Sequence, residues 1–119
     1  MKDTLRPGLT GHAEHVVTPE LSPPHLSRVV LSTPNVVLLM EMACLEAVLP
    51  HLDEGEVTVG THVCVSHAAA AVEGDVVSFD VELVEVDRRR LEWTSRVTVG
   101  DRVVSEGTHQ RFVVRDIAE

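Results

Sequence analysis

Aromatic residues are scarce in this 119-residue chain, which contains Phe79, Trp93 and Phe112 and no tyrosine. Its apolar content is instead aliphatic and rich in valine, and valine-rich runs that alternate with polar residues favour β-strands. The length is enough for one hydrophobic core but not for two. We therefore expect a single domain over residues 1–119, built around a sheet.

Basic residues are also few, with 10 Lys and Arg against 19 Asp and Glu and a formal charge of −9. This balance disfavours a nucleic-acid-binding protein, which needs a basic face for the phosphate backbone. A local cluster such as Arg88–Arg90 still allows a small phosphate-bearing ligand. The apolar runs are shorter than the ~20 residues of a membrane span, and residues 1–11 lack the apolar core of a signal peptide. We expect neither membrane nor nucleic acid as a partner.

Two cysteines, Cys44 and Cys64, form no close-spaced motif. We expect both to be reduced, buried thiols in a cytoplasmic protein rather than a disulfide. The histidines do not stand at metal-ligand spacing, and no phosphate loop, dinucleotide fingerprint or serine or cysteine nucleophile motif is present. The sequence therefore predicts neither a metal site nor a cofactor.

Residues 33–50, TPNVVLLMEMACLEAVLP, predict one largely buried helix. Thr33 offers a hydroxyl for the N-cap, Pro34 fits the first helical position, and Pro50 ends the segment. A stretch that is apolar on most sides is typical of a helix surrounded by protein. Glu41 lies in its most apolar part, and a buried carboxylate is costly unless it is paired or protonated. Glu41 is therefore a candidate functional residue.

The remaining pattern predicts five β-strands, because apolar and polar residues alternate and short turns separate the segments. The strands are expected at residues 8–18, 57–72, 76–86, 91–99 and 102–114, with Gly107 as a bulge in the last strand. One strand, one helix and four antiparallel strands predict an α+β fold, in which one long helix is wrapped by a curved antiparallel sheet. Such a sheet has open edges, and forming a homodimer is the usual way to cover them.

Two polar side chains are expected to meet between the helix and the sheet. In the predicted strand 57–72 the odd-numbered residues form the apolar face, which includes His67. Glu41 and His67 would then face each other in a dry space, where each shifts the pKa of the other and the pair suits acid–base or nucleophilic chemistry. A buried structural Glu–His pair fits the same pattern equally well.

Three further residues each have two interpretations. Thr33 is more typical of a helix cap than of a catalyst, since ~12 Å of helix axis would separate it from Glu41. Gly60 interrupts a valine-rich strand, which lets a ligand approach the backbone or simply bends the strand. Arg111 lies among apolar residues of the last strand, where spacing alone favours a solvated arginine.

Three blocks of the sequence resemble the hotdog-fold thioesterases of the fluoroacetyl-CoA thioesterase type. They are Met40–Cys44 (MEMAC), Gly60–His67 (GTHVCVSH) and Gly107–Arg111 (GTHQR), in this order and at consistent spacing. The resemblance covers roughly residues 33–114. It implies a hotdog fold and a homodimer with its active sites at the subunit interface.

The resemblance also implies roles for individual residues. Thr33, Glu41 and His67 match the catalytic residues, and Gly60 and Arg111 match positions that contact an acyl-CoA. The fluoroacetyl-specific member has phenylalanines before the helix, whereas residues 21–32 here contain no aromatic residue, so we do not carry that substrate over.

The leading hypothesis is a thioesterase that hydrolyses a small acyl-CoA to the acid and free CoA. Water or Glu41 would attack the thioester carbonyl, His67 would serve as general base and then as acid, and Thr33 would orient Glu41 or the water. A non-catalytic acyl-CoA-binding module and an enoyl-CoA hydratase are the alternatives.

Overall fold

The computed structural model describes residues 1–116, in which one helix packs on one five-stranded antiparallel sheet. The elements are β1 (Thr10–Val16), α1 (Thr33–Val48), β2 (Glu56–Val65), β3 (Val76–Asp87), β4 (Arg90–Val99) and β5 (Arg102–Arg115). The strand order β1-β3-β4-β5-β2 makes β1 and β2 the two edges. The predicted α+β arrangement, with one long helix against a curved antiparallel sheet, is confirmed. Residues 117–119 of the predicted domain lie outside the described range.

The hydrophobic core lies between α1 and the inner face of the sheet. Buried residues of α1 recur at three- and four-residue intervals, as expected for one helix face: Val36, Leu39, Met40, Ala43, Cys44 and Val48. Alternate residues of the central strands, among them Phe79, Leu83 and Trp93, are fully buried beside them. Two of the three aromatic residues, Phe79 and Trp93, thus belong to this core.

The apolar segment around α1 is longer than the sequence analysis allowed. Counted with the 3-10 turn Leu49–His51, it spans 19 residues and has the length and hydropathy of a membrane-crossing helix. Glu41 and Glu46 interrupt this run without ending the helix. The helix of a protein core meets the same criterion, and here α1 packs on the sheet.

The helix begins one residue earlier than predicted. Ser32, not Thr33, is the N-cap, and its hydroxyl accepts hydrogen bonds from the backbone N–H and the side-chain amide of Asn35. Thr33 is the first helical residue, so its hydroxyl is free for another partner. The helix ends at Val48 because the proline-containing turn Leu49–His51 follows directly.

The predicted strand 57–72 is too long, because β2 ends at Val65. Ser66 and Ala68 still donate single hydrogen bonds to β5, but the regular ladder has stopped. The following residues, 68–71, are four alanines, which have low strand propensity and only a methyl group to pack against a neighbouring strand. Beyond them, Val72 forms an isolated bridge with Val30. His67 therefore lies in a loop and not on a strand face.

The face of β2 that meets the helix also differs from the prediction. In the first half of the strand the even-numbered residues face inward, and Val57 and Val59 lie on the outer face beside Val114 and Phe112. The register shifts between Gly60 and His62, which reverses the alternation so that Val63 pairs with the inward His109. Assigning faces by a strict odd–even count along the strand therefore fails, because the count does not allow for this shift of register.

Gly107 is not a bulge. It pairs regularly with Val65 of β2 and Ser95 of β4. A Cβ at this position would collide with the backbone carbonyl of Cys64, so glycine is needed for the close approach of β2 and β5.

The cap assignment predicts the effect of two neighbouring substitutions. Ser32→Ala should lower the free energy of unfolding by about 1 kcal/mol, because the Asn35 N–H loses its acceptor. Ser32→Thr, which keeps the hydroxyl, and Thr33→Val should both unfold close to the wild type. Equilibrium urea denaturation with unchanged m-values measures these differences. If Thr33→Val lowered the free energy of unfolding more than Ser32→Ala, Thr33 and not Ser32 would be the N-cap.

Candidate functional site

Thr33 and His67 form a dyad at the start of α1. The Oγ1 of Thr33 lies 2.7 Å from Nδ1 of His67. Thr33 is exposed and His67 is half-buried, and the loop after β2 carries the imidazole to the helix terminus. Because this hydrogen bond uses Nδ1, the Nε2 atom is left for a substrate or a water molecule.

A small apolar cleft borders this dyad. It has a volume of about 220 Å³ and is lined by Val30, Leu31, His67 and the alanines 68–70. A larger groove of about 610 Å³ lies on the outer face of the sheet, around His12, Asp80 and Arg96. None of the predicted site residues lines that groove, so the smaller cleft is the one connected with the candidate chemistry.

Glu41 belongs to a second group of side chains. Its Oε2 accepts a hydrogen bond from Nη1 of Arg111 at 3.0 Å and lies 3.5 Å from Nε2 of His109. Arg111 is 6% exposed, so the solvated arginine favoured by its spacing is wrong. Its Nε and Nη2 donate to the Thr58 hydroxyl and carbonyl, which fixes the plane of the guanidinium. The glutamate side chain is 31% exposed and therefore remains reachable from solvent.

Gly60 faces this carboxylate across the edge of the sheet. A Cβ on Gly60 would collide with Oε2 of Glu41 and would also lie 3.2 Å from the ring of His109. The absence of a side chain therefore makes room for the carboxylate between β2 and β5. The predicted substrate contact of Gly60 stays a prediction beside this observed role.

His109 was missed by the sequence analysis. It is fully buried, and Nδ1 lies 2.7 Å from the backbone carbonyl oxygen of His62. Burial lowers its pKa below the ordinary value of 6.5. The alternation of β5 could have identified it, because His109 and Arg111 are two residues apart and must share a face.

The predicted contact between Glu41 and His67 within one chain is wrong. Among residues 1–116 Glu41 forms an ion pair with Arg111 and lies 3.5 Å from the ring of His109, and the side-chain hydrogen bond of His67 goes to Thr33. The two groups are separated because β2 ends before His67, and because Gly60, not His67, is the β2 residue that faces Glu41. The Thr33 hydroxyl, predicted to orient Glu41 or a water molecule, forms its hydrogen bond with the imidazole of His67.

Neither cysteine has the environment of a nucleophile. Cys44 is buried beside the Glu41 group, and burial raises the pKa of its thiol to about 12. Cys64 is exposed on the outer face of β2, so the expectation that it is buried is wrong. Both thiols are free.

The arginines of the β3–β4 turn are mostly engaged by acidic residues. Arg89 bonds the buried Glu56, and Arg90 pairs with Glu85, Asp87 and Glu92. The cluster is thus far less available to a phosphate group than the sequence suggested. Within residues 1–116, His, Cys, Asp and Glu side chains form no group of three that could hold a metal ion.

Comparison with known proteins identifies relatives over nearly the whole chain. Residues 13–116 match the model of the family described as FlK, fluoroacetyl-CoA-specific thioesterase. The fluoroacetyl-CoA thioesterase of Streptantibioticus cattleyicolor is 38% identical, with 96% of this chain and 88% of that protein covered.

Solved structures agree with this relationship. A phenylalanine-to-alanine mutant of FlK in complex with fluoroacetate and CoA superposes with a TM-score of 0.87 at 35% identity, covering 93% of this chain and 96% of that one. A hot-dog-like protein from Thermanaerovibrio acidaminovorans gives a TM-score of 0.84 at 26% identity, covering 92% and 83%. The predicted hotdog fold and thioester hydrolase class are confirmed. By the family model, the relative and the shared fold, this chain belongs to the fluoroacetyl-CoA-specific thioesterase family.

Proposed function

We propose that this chain hydrolyses the thioester of a small acyl-CoA to the carboxylic acid and free CoA. The observation that carries the proposal is the Thr33–His67 hydrogen bond beside a small apolar cleft, together with a solvent-reachable carboxylate held by Arg111. The S. cattleyicolor relative is named for fluoroacetyl-CoA, and an FlK structure was solved with fluoroacetate and CoA, which supports acyl-CoA as the substrate class.

The cleft favours a short acyl group. Its volume of about 220 Å³ and its lining of Val30, Leu31 and alanines suit a chain of a few carbons. Residues 21–32, which approach the dyad, provide no aromatic side chain to close over the group. Selection for fluorine is therefore not part of the proposal.

The two halves of the site come together in a homodimer. β2 is an edge strand, and within residues 1–116 one side of its backbone has no neighbouring strand. Val59 and Val63 of this strand are 44% and 39% exposed, and a strand paired to the free edge would reduce that exposure. Antiparallel pairing of two β2 edges would place the end of one strand, with His67, beside the first half of the other, with Gly60 and Glu41.

In this assembly each active site takes Glu41 and Arg111 from one subunit and Thr33 and His67 from the other. Water attacks the thioester carbonyl carbon, forming a C–O bond as the C–S bond breaks. If Glu41 attacks first, the C–S bond breaks to give an acyl–Glu41 anhydride, and water then cleaves this anhydride, releasing the acid and regenerating the carboxylate. His67, oriented by Thr33, accepts the proton of the nucleophilic water and transfers it to the leaving thiolate. In the first turn of α1, Pro34 has no N–H and the Asn35 and Val36 N–H groups bond Ser32, so the Thr33 N–H is the backbone donor that could stabilise the oxyanion. A cytoplasmic location, with no membrane or nucleic-acid partner, stays a prediction.

Thiol release from a panel of acyl-CoAs with two to six acyl carbons tests the function. The wild type should turn over the short members, and Glu41→Ala and His67→Ala should each lower kcat by at least about 10²-fold. Glu46→Ala on the exposed side of α1 and His12→Ala on the outer sheet face are matched controls that should keep full activity. Tight binding without thiol release would indicate a binding module, and loss of enoyl absorbance would indicate a hydratase.

Mixing two inactive variants tests the shared site. In a Glu41→Ala and His67→Ala heterodimer, one of the two interfacial sites contains both intact residues and the other contains neither. Random reassembly of equal amounts should therefore restore about a quarter of wild-type kcat. If each active site were built from a single chain, mixing the two variants would restore no activity. Sedimentation equilibrium should show a dimer before and after mixing, and a monomeric active enzyme would refute the arrangement.

Because Gly60 has no side chain, the Glu41 carboxylate fits beside β2, and this predicts the effect of adding a methyl group there. Gly60→Ala should lower kcat by on the order of 10²-fold, because the new methyl group displaces Oε2 of Glu41 from Arg111. Gly74→Ala, at a β-turn where an added Cβ meets no atom within 4 Å, is a control for the loss of a glycine. Its activity should be normal even if its positive φ of 89° lowers stability. Wild-type kcat in Gly60→Ala would show that the carboxylate position is unimportant.

A further inference from the structure

His109 touches the candidate catalytic carboxylate but has no part in the mechanism above. It is fully buried on the inner face of β5, two residues before Arg111. Its neighbour across the sheet on β4 is the equally buried Trp93. A polar ring at such a position is costly unless both of its nitrogen atoms are satisfied.

The partners of the two ring nitrogens define where the proton of His109 lies. Nδ1 is 2.7 Å from the carbonyl oxygen of His62, which can only accept, so Nδ1 carries the proton and donates it. Nε2 is 3.1 Å from Nη1 of Arg111, and a guanidinium can only donate, so Nε2 accepts. The ring is therefore neutral, in one tautomer.

The electrostatic environment agrees with a neutral ring. Burial is the main reason that the pKa of His109 is lowered. Arg111 from β5 and His62 from β2 lower it further, whereas Glu41 from α1 and the hydrogen bond to the His62 carbonyl raise it. Protonation would turn Nε2 from an acceptor into a donor that faces the positive charge of Arg111.

Arg111 is thus held from three directions. Thr58 accepts from Nε and Nη2, His109 accepts from Nη1, and the same Nη1 donates to Oε2 of Glu41. We propose that His109 is a positioning residue: its neutral ring accepts a hydrogen bond from Arg111 and thereby fixes the Glu41 carboxylate for thioester hydrolysis. This inference rests on the proposed function of Glu41.

Two substitutions separate the two hydrogen bonds of the ring. Asn can replace the Nδ1 donor to His62 but does not reach Arg111, whereas Gln can place an oxygen near the position of Nε2. His109→Asn should lower kcat on the order of 10²-fold with little change in KM, and His109→Gln should lose roughly tenfold or less. Gln110→Asn, on the opposite face of β5 where Gln110 bonds Glu92, is the matched control and should be unchanged.

Nitrogen-15 NMR of histidine-labelled protein tests the proton position without any turnover. Long-range proton–nitrogen correlations should show His109 as the neutral Nδ1–H tautomer at pH 7 and still neutral below pH 6.5, the ordinary pKa. An Nε2–H tautomer or an imidazolium at pH 7 would overturn the proposal. The proposal would also be overturned if His109→Asn lowered stability but left the kcat of the folded protein at the wild-type value, because His109 would then have only a structural role.

The pH dependence of stability gives an independent check with a defined sign. Because the pKa of His109 is lowered in the folded state, the unfolded chain binds the proton more readily. The contribution of the neutral ring to stability is complete above pH 6.5 and is lost as the pH falls through the folded-state pKa. His109→Gln should show a weaker decline in this range. Inactivity of the wild type on every acyl-CoA would instead refute the proposed function and leave the NMR result standing.

Discussion

Burying the guanidinium of Arg111 is the constraint on which the rest of the site depends. A cation with 6% exposure must be paired and hydrogen-bonded, since a lone buried charge costs several kcal/mol. The fold meets this need with one carboxylate from the helix, one hydroxyl and one carbonyl from β2, and one imidazole from β5. Glu41 is therefore the counter-ion of a buried cation as well as the acid of the proposed reaction. The same pairing holds the carboxylate at a place where it remains reachable from solvent.

The separation of the two polar groups explains why an edge strand matters to the chemistry. β2 carries Gly60 in its first half and leads to His67 beyond its last residue, so in the proposed homodimer the two ends of one strand would contribute to two different sites. A monomer would leave the acid and the imidazole without each other, and it would leave Val59 and Val63 in water. The proposed homodimer would therefore cover the exposed strand edge and complete the proposed active site through the same contact.

Much of the fold could be predicted from the chain itself, because its signals are local. The stretch around Glu41 is apolar enough to specify a helix, and valine alternation and turn residues locate the later strands within a few positions. The site was less predictable. Ser32 and Thr33 both belong to the residue types preferred as helix caps, and only the position of His67 gives the Thr33 hydroxyl another partner. The bulge after Gly60 and the end of β2 at Val65 arise from tertiary pairing, so an alternation count put His67 on the wrong surface.

The engaged arginines of the β3–β4 turn have a consequence for the approach of a polyanionic molecule. Arg89 and Arg90 are neutralised by Glu56 and by three other acids, in a chain whose formal charge is −9. Long-range forces therefore repel a ligand that carries several phosphates, and capture depends on short-range shape and hydrogen bonding. Added electrolyte shortens the reach of that repulsion, so encounter becomes faster with rising ionic strength, opposite to the behaviour of proteins with a basic entrance.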